Sequence, residues 1–214
     1  MNALVDNDIV FKGACYALLP DVLATVCDQE DPIGVLGAAR FVVSKKIQRT
    51  PVNKGRDAAL ANLEEFLRRS LAIEPTEAEQ TMAAELELAA LNSGVSLDSG
   101  ESQLCAVLIE RVVPWLLTGD KRAICAIERL LNSDGRLAAI TGKVKCLEQL
   151  VLAGLVDVAR ANSFREKICA EAHIDKTLSI CFSCISAAAT SDCIEGLKSY
   201  IGDLRKQAER VLST

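Results

Sequence analysis

Four times along the chain a brief apolar run stops at an acid or a glycine, and residues at helical spacing follow at once. The runs are ALVDND at 3–8, IGVLG at 33–37, VPWLLTGD at 113–120 and RLAAITG at 136–142. An apolar run too short for a helix and without polar alternation reads as a strand buried on both faces. Such strands belong to a parallel sheet covered by helices on each side. Right-handed crossovers then carry every strand's C-terminus to one edge, where open α/β sheets collect ligands. The fold class expected is therefore α/β, helix-rich, with a short parallel sheet.

Between the runs the spacing predicts helices. The first continues through IVFKGACYALLPDVLATV, and AARFVVSKKIQR ends in cations that suit its C-terminal dipole. RDAALANLEEFLRRSLA opens at Asp57, and PTEAEQTMAAELELAALNSG opens at Pro75-Thr76 and closes at Gly94. From about residue 158 to 214 the chain reads as wholly helical. The expected organisation is a domain over 1–157 with a helical C-terminal extension, 158–214, packed on it. Ala and Leu dominate, and only 4% of residues are aromatic, which argues against an all-β fold and against a large platform for stacked bases.

The net charge is -5, so nucleic acid would need a local basic patch or metal ions to offset the acids. No run reaches the roughly 18 apolar residues of a membrane span. The opening MNALVDNDIVFKG lacks the basic start and long apolar stretch of a signal peptide, so a cytoplasmic protein is expected, with no membrane partner. The nine cysteines are scattered through apolar stretches, as small hydrophobes are. Cys181 and Cys184 form a lone C-x-x-C, and with one histidine in the chain a structural zinc site is not expected. A reducing compartment fits that usage. His173, in the tail, is expected to have no catalytic role, and Trp115 to lie in the core.

The acids carry the functional signal. In VSLDSGESQLCAVL, Asp98 and Glu101 have the spacing of a capping box, in which each side chain satisfies a backbone N–H at a helix start. Asp6 reads as a turn residue, Asp8 as an N-cap and Asp120 as a complement to a helix dipole. None of these readings explains acids at three separate junctions of one sheet edge. Gathered there, Asp6, Glu101 and Asp120 would repel one another and raise one another's pKa until a cation neutralised them. Oxygen donors without His or Cys suit Mg²⁺ or Mn²⁺.

LVDND, LDSGESQLCAVLI, LLTGDKRA and ITGKVKCLEQLVLAGLV, in this order over residues 1–157, resemble a PIN domain. The likeness is to the branch with an L-D-x-G-E-x-x-x-x-A segment before its third acid. The resemblance implies a three-layer α/β/α sandwich and a Mg²⁺- or Mn²⁺-dependent endoribonuclease. It makes Asp6, Glu101 and Asp120 the catalytic metal ligands, with Asp8 and Asp98 assisting and Thr118 as the hydroxyl beside Asp120. Many small relatives are toxins of bacterial toxin–antitoxin modules, which makes RNA the substrate and an antitoxin or other protein a candidate partner. An Ala-rich face on either of two added helices would suit a homodimer.

Lys121 and Arg122 follow Asp120 on the first turn of a helix, whose N-terminus favours anions, and are candidates to meet an RNA phosphate. Lys45, Lys46 and Arg49, with Lys54 and Arg56 beyond them, make a second basic cluster. The family's further acid is missing, because IGVLGAARFVV has Ala38, Ala39 and Arg40 there. That departure supplies the alternative: a catalytically weak or inactive PIN-like scaffold that binds a protein or RNA.

Overall fold

The computed structural model describes residues 1–27, 32–185 and 189–214. The chain runs β1 (Ala3–Val5), α1 (Asn7–Tyr16), α2 (Leu19–Leu23), β2 (Ile33–Leu36), α3 (Ala39–Arg49), α4 (Arg56–Arg69) and β3 (Leu71–Ile73). It continues with α5 (Glu77–Asn92), α6 (Ser99–Glu110), β4 (Trp115–Thr118), α7 (Lys121–Leu130) and a 3₁₀ helix at Gly135–Ile140. β5 (Val144–Cys146), α8 (Leu147–Gly154), α9 (Val158–Ala170), α10 (Lys176–Cys181) and α11 (Thr190–Gln207) complete it.

Among the described residues the five strands form one sheet in the order β3-β2-β1-β4-β5, every pairing parallel. β1 is central, with Ala3 opposite both Ile33 and Trp115. Ala3, Leu4 and Val5 are all buried, so the absence of polar alternation reflects burial on both faces. Ala3 and Val5 point into one apolar core with α1, α3, α4 and α8, while Leu4 points into a second with α5, α6 and α7. This is the expected three-layer α/β/α sandwich.

The tail joins both cores: Phe164, Ile168 and Phe182 lie in the first, and Ile201, Leu204 and Leu212 in the second. The last residues return to the sheet, where Ser213 N donates to Val144 O at 2.8 Å beside β5. Among the described residues no helix is long and apolar enough to cross a membrane.

Local expectations fail in three places. The first long helix is two, α1 and α2, because Ala17 takes a left-handed conformation at φ 55° and ends α1. RLAAI is not a strand. Leu137 and Ile140 are its buried residues, three apart, the period of the 3₁₀ turn it adopts, and the strand is VKC just after it. β3 was hidden at the end of a predicted helix; as an edge strand of three residues it buries only Ile73. Asp28 to Asp31 lie outside the described residues.

One pair of cysteines departs from the expectation of reduced thiols, while the other seven are free. Cys184, just past the end of α10, is disulfide-bonded to Cys169 in the last turn of α9, and Cys181 is left free and buried. His173 Nε2 lies 2.7 Å from Pro51 O.

Candidate active site

β1 and β4 are parallel neighbours, with Val5 opposite Leu117, so Asp6 and the Thr118-Gly119-Asp120 turn emerge side by side at the carboxyl edge. Asp6 N donates to Leu117 O at 2.9 Å, which carries the pairing one residue beyond the strand. The Thr118 hydroxyl donates to Asp6 Oδ2 at 3.1 Å and accepts the Asp120 N–H at 3.1 Å. α6 starts opposite them. All five predicted acids, Asp6, Asp8, Asp98, Glu101 and Asp120, line one cleft of about 660 Å³.

Burial and crowding disturb two of them. Asp6 is 8% exposed, and burial, then the negative charge of Asp8, pushes it up to about 6 against the pull of the Thr118 hydroxyl. Glu101 is pushed up to about 8, first by burial and then by the charges of Asp98, Asp120 and Asp6. Among the described residues neither Asp6 nor Glu101 has an ion-pair partner. Asp120 goes the other way. Burial raises it, but the Arg122 side chain and the N–H groups of Arg122 and Ala123 outweigh that and hold it below its usual range.

The remaining acids have work inside the protein. Asp98 and Glu101 form the capping box of α6: Glu101 N donates to Asp98 Oδ1 at 2.9 Å and Asp98 N to Glu101 Oε2 at 2.8 Å. Asp120 caps α7 and pairs with Arg122 at 2.7 Å. Asp8 is held by Lys12 at 2.5 Å and Lys46 at 3.4 Å. Lys12 then reaches Asp175 of the tail at 2.6 Å, so the cleft is tied to the extension. Lys12 and Asp175 were missed, although Lys12 stands one helical turn beyond Asp8, the spacing of an ion pair. Gly119 was missed as well: a Cβ there would overlap the Asp8 carboxylate.

The basic residues divide. Lys46 lines the cleft, with its Nζ 4.2 Å from the Phe11 ring centre, and Arg122 lies at the mouth with its side chain exposed. Lys45 and Arg49 are exposed on α3, outside the cleft wall. Lys121 corrects the expectation of a phosphate contact. It turns inward to Glu148 Oε1 at 2.7 Å and Thr177 Oγ1 at 3.2 Å, with its Nζ 4.3 Å from the Tyr200 ring centre. The tail supplies Thr177 and Tyr200, and the buried Glu148 needs a cation.

The donors around Asp6 are hard oxygens, and no His or Cys lines the cleft, so the chemistry of the set fits Mg²⁺ or Mn²⁺. The arrangement is not a preformed cage: among the described residues no three Asp, Glu, His or Cys side chains stand together as a metal-holding group. The chain matches no family model, no curated protein and no solved structure.

Proposed function

We propose that the protein is a divalent-cation-dependent endoribonuclease of PIN type. One observation carries the reading: Asp6 and Glu101, with raised pKa values and without ion-pair partners, share a cleft at the ligand-binding edge of a parallel sheet. Crowded carboxylates without a cationic partner are an electrostatic signature of a cation site. Asp6, Glu101 and Asp120 would hold the ion, with Asp98 behind them. The bound ion would activate a water and offset charge on the phosphodiester.

The chain's own groups do the rest. Thr118 orients Asp6 through its hydroxyl. Lys46 and Arg122 offer positive charge at the mouth, where an RNA phosphate enters. A phosphate is a strong bidentate partner for Arg122, and in taking the guanidinium it would free Asp120 for the cation. Substrate arrival and completion of the ligand set are then one event.

A second reading, an inactive scaffold, is favoured by the ion pairs that occupy Asp8 and Asp120. Labelled single-stranded RNAs incubated with Mn²⁺, Mg²⁺ or EDTA separate the two. The nuclease reading expects metal-dependent cleavage that Asp6→Asn and Asp120→Asn abolish. Equal background from all three proteins in every arm supports the scaffold.

A further inference from the structure

A hollow of about 150 Å³ lies between α3 and the edge strand β3, and Leu36 lines both it and the acidic cleft. Leu67 and Ala72 wall it on one side, and Arg40 and Phe41 of α3 on the other. Phe41 is 75% exposed. Such an aromatic ring is outside both cores and contributes little to holding the sandwich together. Arg40 is steadied beside it by Glu64 at 3.0 Å. Gly37 lines the hollow too, and a side chain there would collide with the Glu74 carboxylate.

Glu64 neutralises Arg40 and the Glu74 carboxylate lies beside Gly37, but the α3 face that continues from the ring is cationic. Lys45 and Arg49 follow Phe41 at one and two helical turns, about 5.4 Å apart along the axis. Among the described residues α3 makes ion pairs through Arg40 and Lys46, which leaves Lys45 and Arg49 without acidic partners. In a chain of net charge -5, unpaired cations beside an exposed ring and an open hollow suit an anionic polymer with flat apolar faces. A site of about 150 Å³ is large enough for benzene, so an open hollow of this volume seats one ring of a base and leaves the rest over the exposed Phe41.

We propose that the hollow is a subsite for one unpaired nucleobase of single-stranded RNA, stacked on Phe41, with the adjoining phosphates along Lys45 and Arg49 and the strand leading into the cleft. Unpaired bases are recognised by stacking on aromatic rings and guanidinium planes, and Phe41 and Arg40 provide one of each. A duplex keeps its bases stacked on each other and has none to offer. The subsite rests on the reading of the cleft as an RNA-cleaving centre, and it selects single strands for that centre.

The test is fluorescence anisotropy of a labelled single-stranded oligoadenylate in EDTA, which reads binding without cleavage. Phe41→Ala is expected to weaken binding about 5- to 100-fold, and Phe41→Trp to retain it. Lys45→Gln with Arg49→Gln should flatten the salt dependence of log K by about 0.7 for each phosphate that the protein no longer neutralises. An abasic oligomer should bind the native protein only as well as oligoadenylate binds Phe41→Ala. The subsite is overturned if Phe41→Ala binds oligoadenylate like the native protein, or if the native protein does not bind it at all. It is equally overturned if Phe41→Ala changes self-association and not RNA affinity. Metal-dependent cleavage with unaltered Phe41→Ala binding would leave the nuclease reading standing without the subsite. Phe41-dependent binding without cleavage would do the reverse.

Discussion

Thr118 hands one hydroxyl to Asp6 Oδ2 at 3.1 Å and takes the Asp120 amide on the same oxygen, so one atom joins the ends of two strands. Thr118→Val keeps the shape and deletes both bonds. Leaving a buried carboxylate oxygen and an amide unmatched should cost about 1–3 kcal/mol in urea denaturation. The Thr118 bond lowers the Asp6 pKa, so its loss should move Asp6 above its present value of about 6 in a carboxyl-detected NMR titration. An unmoved Asp6 would mean that the hydroxyl does not orient it.

Glu101 sets a pH dependence. Folded, it keeps its proton up to about 8, against 4.5 for an ordinary glutamate. Between those values the native state binds more protons than the unfolded one, so the metal-free protein loses stability as pH rises through that window. Asp6 adds the same slope between 3.8 and about 6. Glu101→Gln keeps a side chain able to close the capping box but removes the charge. Its Tm at pH 8 should exceed the native value, by about 2–4 °C for each kcal/mol of charge penalty removed, with the difference vanishing below pH 4.5. A variant that loses stability with pH as steeply as the native protein would assign the slope elsewhere.

Lys121 is expected to matter for folding. Lys121→Met strands the buried Glu148 carboxylate, which should cost about 3–5 kcal/mol in chemical denaturation. Lys121→Met with Glu148→Leu should recover most of that loss. RNA affinity per folded molecule should not change; a loss of affinity at full stability would return Lys121 to the RNA surface.

Gly119 is small because Asp8 needs the space. In Gly119→Ala the new Cβ meets the Asp8 carboxylate and sits 3.4 Å from Lys12 Nζ, which should cost about 1–3 kcal/mol. Asp8→Ala removes the obstacle, so the double variant should be more stable than the sum of the singles by about 0.5–3 kcal/mol. Additive losses would show that the two positions are independent.

The parts of the fold legible in the sequence were those with a strong local cause. β1, β2 and β4 are apolar without alternation, and each leads into a helix, which is enough to imply a parallel sheet and its carboxyl edge. The capping box at Asp98 has its chemistry written three residues apart, and the one at Thr76, where Pro75-Thr76 predicts only a helix start, is spaced the same way. β3 and β5 were not legible because β3 buries only Ile73 and β5 is interrupted by Lys145, and their strand character comes from the pairings Val35–Ala72 and Leu117–Lys145. For the site, the sequence brought the five acids to one cleft but was silent on their partners. Lys12 with Asp175, and Lys121 with Thr177, join residues more than fifty positions apart, and only packing of the tail selects them. The Cys169–Cys184 pairing depends on that same packing.

Manganese binding, measured by calorimetry at pH 8 without RNA, tests most directly whether the uncompensated acids hold a cation. The native protein should bind Mn²⁺ saturably and release protons as it does so, while Asp6→Asn and Glu101→Gln should each weaken binding at least about tenfold. Arg122→Gln, which frees Asp120, should strengthen it. Native protein and both acid variants giving the same weak, proton-neutral heats would contradict the account.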